Sequence, residues 1–254
     1  MGMTENLPLP DEAGQESLAG RRLLLPAGVL DAHGRVHREV RVRELTGADE
    51  EALFERATAS GARRVNTFLA RAIESVPGLE DTPIDEAFAA GLQLGDRDYL
   101  LLRLRQMDLG DAVHQVVRCP ACGAKVDVDL LISELPVRRL EQPRASYEAQ
   151  LGGSTLRLRL PDGEDQAAVE DLAMANPAAA NTRLFARLVQ DIDGRGAPTE
   201  SEVRAWPAAL RAQLSAWLAA HLSGPDLFLD LGCPHCKAAM SYAFDLNAFF
   251  LPSG

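Results

Sequence analysis

Long apolar runs are missing from this chain of 254 residues, and aromatic side chains make up only 5% of it. A membrane-crossing helix needs about 18 or more consecutive apolar residues. The longest uncharged stretches, such as Leu23 to Leu30, are short and broken by Pro26 and Gly28. The first 20 residues carry Pro8 and Pro10 among acidic and polar residues, without the cationic start and apolar centre of a secretion signal. They read as a flexible tail, and the protein is expected to be soluble and cytoplasmic. Basic residues are also in deficit: 26 Lys and Arg against 37 Asp and Glu leave a net charge of −11. Coating a nucleic acid or docking on an anionic membrane requires the opposite balance. Neither is expected as a partner.

Catalytic signatures are missing too. The chain contains no GxGxxG, GxxxxGK[ST], GxSxG or HExxH. Its five histidines, His33, His37, His114, His221 and His235, are scattered. His221, at the end of an apolar helical stripe, reads as a capping or core residue. Asp81, Asp85 and Glu86 cluster beside Pro83, which marks a helix start where carboxylates complement the dipole. Gly152-Gly153 reads as a turn, because no helix with a phosphate-binding Lys follows it. Neither an enzyme nor a small-molecule substrate is expected.

What is present is an ordinary globular composition, 46% hydrophobic and 25% charged, in a length between one domain and two. Sliding the chain over itself suggests how that length is used. Displaced by 116 positions, Gly47 and Asp49 fall on Gly163 and Asp165, and Phe68-Leu69-Ala70-Arg71 on Leu184-Phe185-Ala186-Arg187. Displaced by 114, Leu100 and Leu104 fall on Leu214 and Leu218, and Cys119-Pro120-Ala121-Cys122 on Cys233-Pro234-His235-Cys236. At 116 again, Leu135-Pro136 meets Leu251-Pro252. The expectation is a tail at 1–20, a first repeat at 21–137, a connector at 138–153 and a second repeat at 154–254.

Each half reads alike. Val36 to Leu45 alternates as a half-buried strand, as does Ser154 to Leu160. Thr46 with Asp49, and Asp162 with Asp165, are capping signals for helices running to about Ala59 and Met174. Second helices are predicted over about 64–75 and 178–192, and long ones over about 98–107 and 208–221. Strands at 113–118 and 227–231 enter the two CPxC motifs, and strands at 125–130 and 240–246 leave them. The fold class is α+β: two pseudo-symmetric, mostly helical repeats, each ending in a β-hairpin knuckle.

Strand, CPxC, strand is the layout of a zinc knuckle, in which a tight turn points two thiolates at one ion. A structural zinc takes four ligands in a tetrahedron, and each half supplies two. The economical solution is one shared Zn2+ on Cys119, Cys122, Cys233 and Cys236, a zinc ribbon split across the repeats. Such a closed site has no open position for catalysis, and its ligation is worth about 10–16 kcal/mol in apparent binding. The competing reading is a thiol–disulfide oxidoreductase using Cys233 and Cys236, since Cys-Pro-His-Cys is also a redox tetrapeptide. That chemistry wants a helix after the motif, whereas Lys237 to Phe244 alternates like a strand.

The order of short motifs resembles the T4-like bacteriophage baseplate (hub assembly) proteins, whose relatives occur in contractile injection-system clusters. The residues that carry the resemblance are Leu45 to Glu51, Leu94-Gly95-Asp96-Arg97-Asp98, Met107-Asp108-Leu109-Gly110-Asp111 and Cys119 to Gly123. In the second half they are Leu158-Arg159-Leu160-Pro161, Cys233 to Cys236 and Phe244 to Phe250. Lys237 departs from the first knuckle, which has Gly123. The resemblance implies a non-enzymatic assembly component whose partners are other baseplate or tail-assembly proteins. Phe249 and Phe250 are candidate partner anchors, because aromatics concentrate at binding hot spots. They serve equally as a strand end packed on the protein's own core.

Overall fold

The computed structural model describes residues 21–54 and 60–244. The 1–20 tail and the candidate anchors Phe249 and Phe250 lie outside the described residues. The chain is mixed α/β. It opens with β1 (Arg22–Leu30) and β2 (Val36–Val42), followed by α1 (Gly47–Phe54), α2 (Gly61–Ala72) and β3 (Ile73–Ser75). The three strands form an antiparallel sheet in the order β1-β2-β3. Next come α3 (Glu86–Gly91), α4 (Leu94–Leu109), and the hairpin of β4 (Ala112–Arg118) and β5 (Lys125–Leu131).

After a two-residue strand β6 (Val137–Arg138), β7 (Tyr147–Leu151) and β8 (Ser154–Leu158) form a hairpin around Gly152-Gly153. Then follow α5 (Gly163–Ala175), α6 (Pro177–Leu188) and β9 (Val189–Ile192), which completes a second sheet in the order β7-β8-β9. The chain continues through α7 (Glu200–Arg204), α8 (Ala208–His221), β10 (Gly224–Pro225), β11 (Phe228–Gly232) and β12 (Ala239–Ala243). Here α8 has the bounds expected from its apolar spacing, and β4, β5 and β11 agree with their predicted ranges to within a residue. Strand β12 starts one residue early and ends at Ala243, whereas the prediction ran to Leu246, which lies outside the described residues.

The structure corrects two predicted helices. Residues 73–75 and 189–192 are strands, not the ends of helices. Their apolar residues continue the stripes of α2 and α6, so local periodicity favours helix. Pairing with β2 and β8 wins once the sheets form (Val42↔Ile73, Leu158↔Val189). Strand β7 likewise falls inside the stretch read as a connector.

Two large apolar cores result. The first gathers Leu23, Leu25, Val40, Phe68, Leu100 and Leu104, and the second gathers Leu156, Leu158, Phe185, Leu188, Leu214 and Leu218. The last hairpin does not sit on the second core. Leu227, Leu229, Tyr242 and Phe244 pack against the first one, and β10 pairs with β6. The carboxylate of Glu170 on α5 accepts the Gly61 and Ala62 N–H groups at the start of α2 (2.8 and 3.1 Å). It thereby satisfies donors that a helix N-terminus leaves open. The two halves of the chain are thus stitched together by backbone and side-chain bonds.

Beside each sheet lies a buried carboxylate held by two arginines. Asp49 receives Arg43 through both oxygens (2.8 and 2.7 Å) and Arg71 Nε (2.9 Å). Asp165 receives Arg159 through both oxygens (2.6 and 2.8 Å) and Arg187 Nε (2.7 Å). The backbone N–H groups of Thr46 and Asp162 add a further bond each. Hydrogen bonds from the arginine partners hold the Asp165 carboxyl below its ordinary range, against the effect of burial. Asp165 is fully buried, so Asp165→Asn leaves two guanidinium groups facing a weaker acceptor.

Breaking a buried pair costs about 3–5 kcal/mol. Partial exposure of Arg159 and Arg187 (26% and 36%) reduces the expected loss to about 2–3 kcal/mol at pH 7. A carboxyl with a lowered folded-state pKa stabilises above its unfolded value, about 3.9, and loses that contribution as pH falls through the folded value. The stability gap between wild type and Asp165→Asn, measured by urea denaturation, should therefore be full at pH 7 and shrink below about pH 4.

Candidate metal centre

Each CPxC motif sits at the tip of a two-stranded hairpin. In the first, the Cys119 N–H bonds the Ala124 carbonyl (2.9 Å) and the Gly123 N–H bonds the Cys119 carbonyl (2.9 Å). In the second, Cys233 N–H to Ala238 (3.0 Å) and Lys237 N–H to Cys233 (2.9 Å) reproduce the turn. Gly123 has φ 72°, and Lys237 has φ 61° in the same left-handed region. Lys237 therefore keeps the turn that Gly123 makes, at a steric cost of about 1–2 kcal/mol for a side chain there. Glycine's larger entropy loss offsets part of this. Lys237→Gly should leave the site intact and raise stability by up to about 1 kcal/mol, read from the thermal midpoint.

The four sulfurs come together. Sγ of Cys119 lies 3.7 Å from Sγ of Cys236, and Sγ of Cys122 lies 3.8 Å from Sγ of Cys233. All four are within 4.8 Å of one another. None is in a disulfide. A metal held tetrahedrally with metal–sulfur bonds of about 2.3 Å needs sulfur–sulfur edges of about 3.8 Å. The Cys119–Cys236 and Cys122–Cys233 distances have that size and are far longer than a disulfide bond, about 2.05 Å. Cys119 and Cys233 are buried, whereas Cys122 and Cys236 face solvent. Val117, Val126, Val128 and Met240 surround the buried pair, a small third core built from both hairpins. Across it the Tyr242 hydroxyl donates to Gln115 Oε1 (2.9 Å).

Hydrogen bonding and crowding push two thiols of the centre in opposite directions. The N–H groups of Cys236 and His235 point at Cys233 and bring its thiol down to about 6. Cys122 accepts the Ala124 N–H, but proton sharing with Cys236, burial, and proton sharing with Cys119 and Cys233 push it up to about 12. One cluster therefore contains a thiol poised to ionise and another that resists it. A divalent cation bound there would remove the conflict, because each sulfur would coordinate as thiolate. Five-residue β12 follows the second motif. The helix N-terminus that activates a redox CxxC is not there, so the geometry favours ligation over thiol exchange.

A family model, T4 bacteriophage base plate protein, matches residues 33–251. The chain belongs to the T4 base plate protein family. No curated protein and no solved structure matches it at a significant level. The base plate motifs met in the sequence turn out to be pins of the scaffold. In Leu94 to Asp98, Gly95 lets α4 touch the backbone of Ser223 and Gly224. The Asp96 carboxylate accepts the N–H groups of Ala27 and Gly28 (2.7 and 2.9 Å). Arg97 donates to the carbonyls of Ala89 and Ala62 (2.6 and 3.2 Å). In Met107 to Asp111, Asp108 takes Arg21 and the Leu45 N–H, and Asp111 takes the N–H and hydroxyl of Ser133.

Other polar residues have structural partners as well. His221 Nδ1 lies 2.7 Å from the Trp217 carbonyl and its ring stacks on the Trp217 ring. Asp85 caps α3. Sequence reasoning missed the two arginine-held carboxylates. Their only signal was that Arg43, Asp49 and Arg71 are displaced from Arg159, Asp165 and Arg187 by the same 116 positions.

Proposed function

We propose that this chain is a non-enzymatic structural or assembly component of a phage-like contractile tail or injection-system baseplate, braced by one structural zinc on Cys119, Cys122, Cys233 and Cys236. The observation that carries the reading is the sulfur tetrad, two of whose spacings match the edge of a zinc tetrahedron and whose ligands come from both halves of the chain. Zinc suits an all-thiolate closed site and contributes folding energy there. Its role is to lock the C-terminal hairpin onto the hairpin of the first half. Family membership supplies the assembly context, with other baseplate proteins as partners.

The same reading includes duplication: two related halves whose CPxC hairpins form one split zinc ribbon. Three structural parallels support it. The two arginine-held carboxylates occupy matching positions, and so do the sheets β1-β2-β3 and β7-β8-β9. Arg211 donates to the Val203 and Ala178 carbonyls (3.2 and 2.9 Å), as Arg97 does to Ala89 and Ala62.

Elemental analysis of the purified protein, with a thiol count before and after chelation, tests this function. One zinc per chain, four thiols masked before chelation and four reactive afterwards is the expected result. Metal-free protein with reactive thiols and disulfide reductase activity establishes the oxidoreductase instead.

A further inference from the structure

The outer face of the first sheet carries a charge arrangement that the fold does not explain. Arg22 on β1 lies directly opposite Arg41 on β2, and the other neighbour of Arg41, on β3, is Ser75. Like charges directly opposite in a sheet are destabilising. Arg41 has one loose acidic contact, Glu39 at 3.6 Å, and Arg22 has no ion pair among the described residues. Arg157 holds the same place in the central strand of the second sheet. There it lies between Glu148 on one side and Asp191 on the other, with acid on both sides. One sheet neutralises its central arginine, and the other doubles the charge.

The arginine pair borders a concavity of about 360 Å³ lined by Arg21, Arg22, Arg41, Val42 and Glu74. A second concavity of about 250 Å³ shares Arg41 and Glu74 with it and is lined by Pro77, Leu79, Ile84 and Glu80, whose carboxylate accepts the Gly78 N–H, with the buried Val76 behind them. The two meet at Arg41 and Glu74, as a groove with arginines on one side and Pro77, Leu79 and Ile84, beside Glu80, on the other. We propose that this groove binds an acidic segment of a partner protein, with an apolar side chain against Leu79 and Ile84 and carboxylates on Arg22 and Arg41.

Charge decides the class of ligand. A net charge of −11 repels an extended polyanion at long range, whereas a short segment meets the local arginines. Glu74 in the shared wall disfavours a dense anion such as phosphate and accepts N–H groups of a peptide backbone. Guanidinium groups match carboxylates in geometry, and the apolar side supplies the desolvated contact that carboxylates lack. The groove lies apart from the cysteine centre. The proposal rests on the assembly role only in expecting a protein partner.

Fluorescence polarisation of the full chain with a labelled peptide of two leucines followed by three glutamates tests it. Binding that weakens at least tenfold in Arg22→Ser/Arg41→Ser and with rising salt, and is unchanged in Arg157→Ser, is the expected result. A peptide with glutamines in place of the glutamates, or with serines in place of the leucines, should bind at least tenfold more weakly. Four results overturn the proposal. These are no saturable binding at millimolar peptide, equal binding by the Arg22/Arg41 variant, full competition by millimolar inorganic phosphate, and binding that appears only after removal of residues 1–20. The last would make the chain's own acidic N-terminal segment the occupant. Zinc content and circular dichroism of each variant, unchanged from wild type, separate a failure of the groove from a failure of the metal-braced scaffold.

Discussion

Replacement of the exposed Cys122 by serine should be as damaging as replacement of the buried Cys119. Packing alone predicts otherwise, since surface substitutions usually fall within about ±0.5 kcal/mol. Cys119 lies in the small core with Val117 and Val126, so its loss disturbs packing on any account. Cys122 faces solvent, and only ligation makes it indispensable. A structural zinc contributes about 10–16 kcal/mol of apparent binding, against a typical total stability of about 5–15 kcal/mol. A hydroxyl in place of one thiolate gives up a large share of that. Both variants should retain far less than one zinc per chain and lose several kcal/mol, measured by elemental analysis and urea denaturation. A Cys122→Ser protein with wild-type stability would show that the tetrad does not hold a structural metal.

The second large effect is expected far from the cysteines. Gly95→Ala should lower stability by about 3 kcal/mol, the upper end of the overpacking range. A methyl group at Gly95 would come within 1.9 Å of the Ser223 oxygen and 2.4 Å of its carbonyl carbon. Both are backbone atoms, and neither can swing aside as a side chain would. Relief requires moving α4 away from β10, although α4 delivers Leu100 and Leu104 to the first core. For a chain of this size 1 kcal/mol corresponds to about 2–4 °C, so the melting temperature should fall by roughly 6–12 °C. Gly91→Ala is the control. Gly91 ends α3 with nothing within 4 Å of an added methyl group, and alanine there should be neutral or slightly stabilising.

How much of this was legible in the sequence follows from the range of each interaction. Helix α8 and the capping box of Asp162 with Asp165 were readable because their signals lie within a few residues. The paired CPxC motifs announced the sulfur tetrad because a metal needs few ligand types and a tight turn to present them. Strands β3 and β9 were not readable: at three and four residues they carry too little periodicity to interrupt the helical stripes before them. Leu23 to Leu30 registered only as a short apolar run, because β1 is buried along most of its length and shows no alternation. The arginines around Asp49 and Asp165 come from the residue just past a strand and from a distant helix, so no single short motif spans both. The partner of Arg41 is likewise set by sheet register alone.

In the proposed function one metal, held by four sulfurs from the two halves of the chain, closes the scaffold. X-ray absorption at the zinc edge of the purified full-length protein tests it most directly. A first shell of four sulfurs at about 2.3 Å, with no nitrogen or oxygen contribution, is the predicted result. A shell of two sulfurs with two light atoms, or protein that contains no zinc, would contradict it.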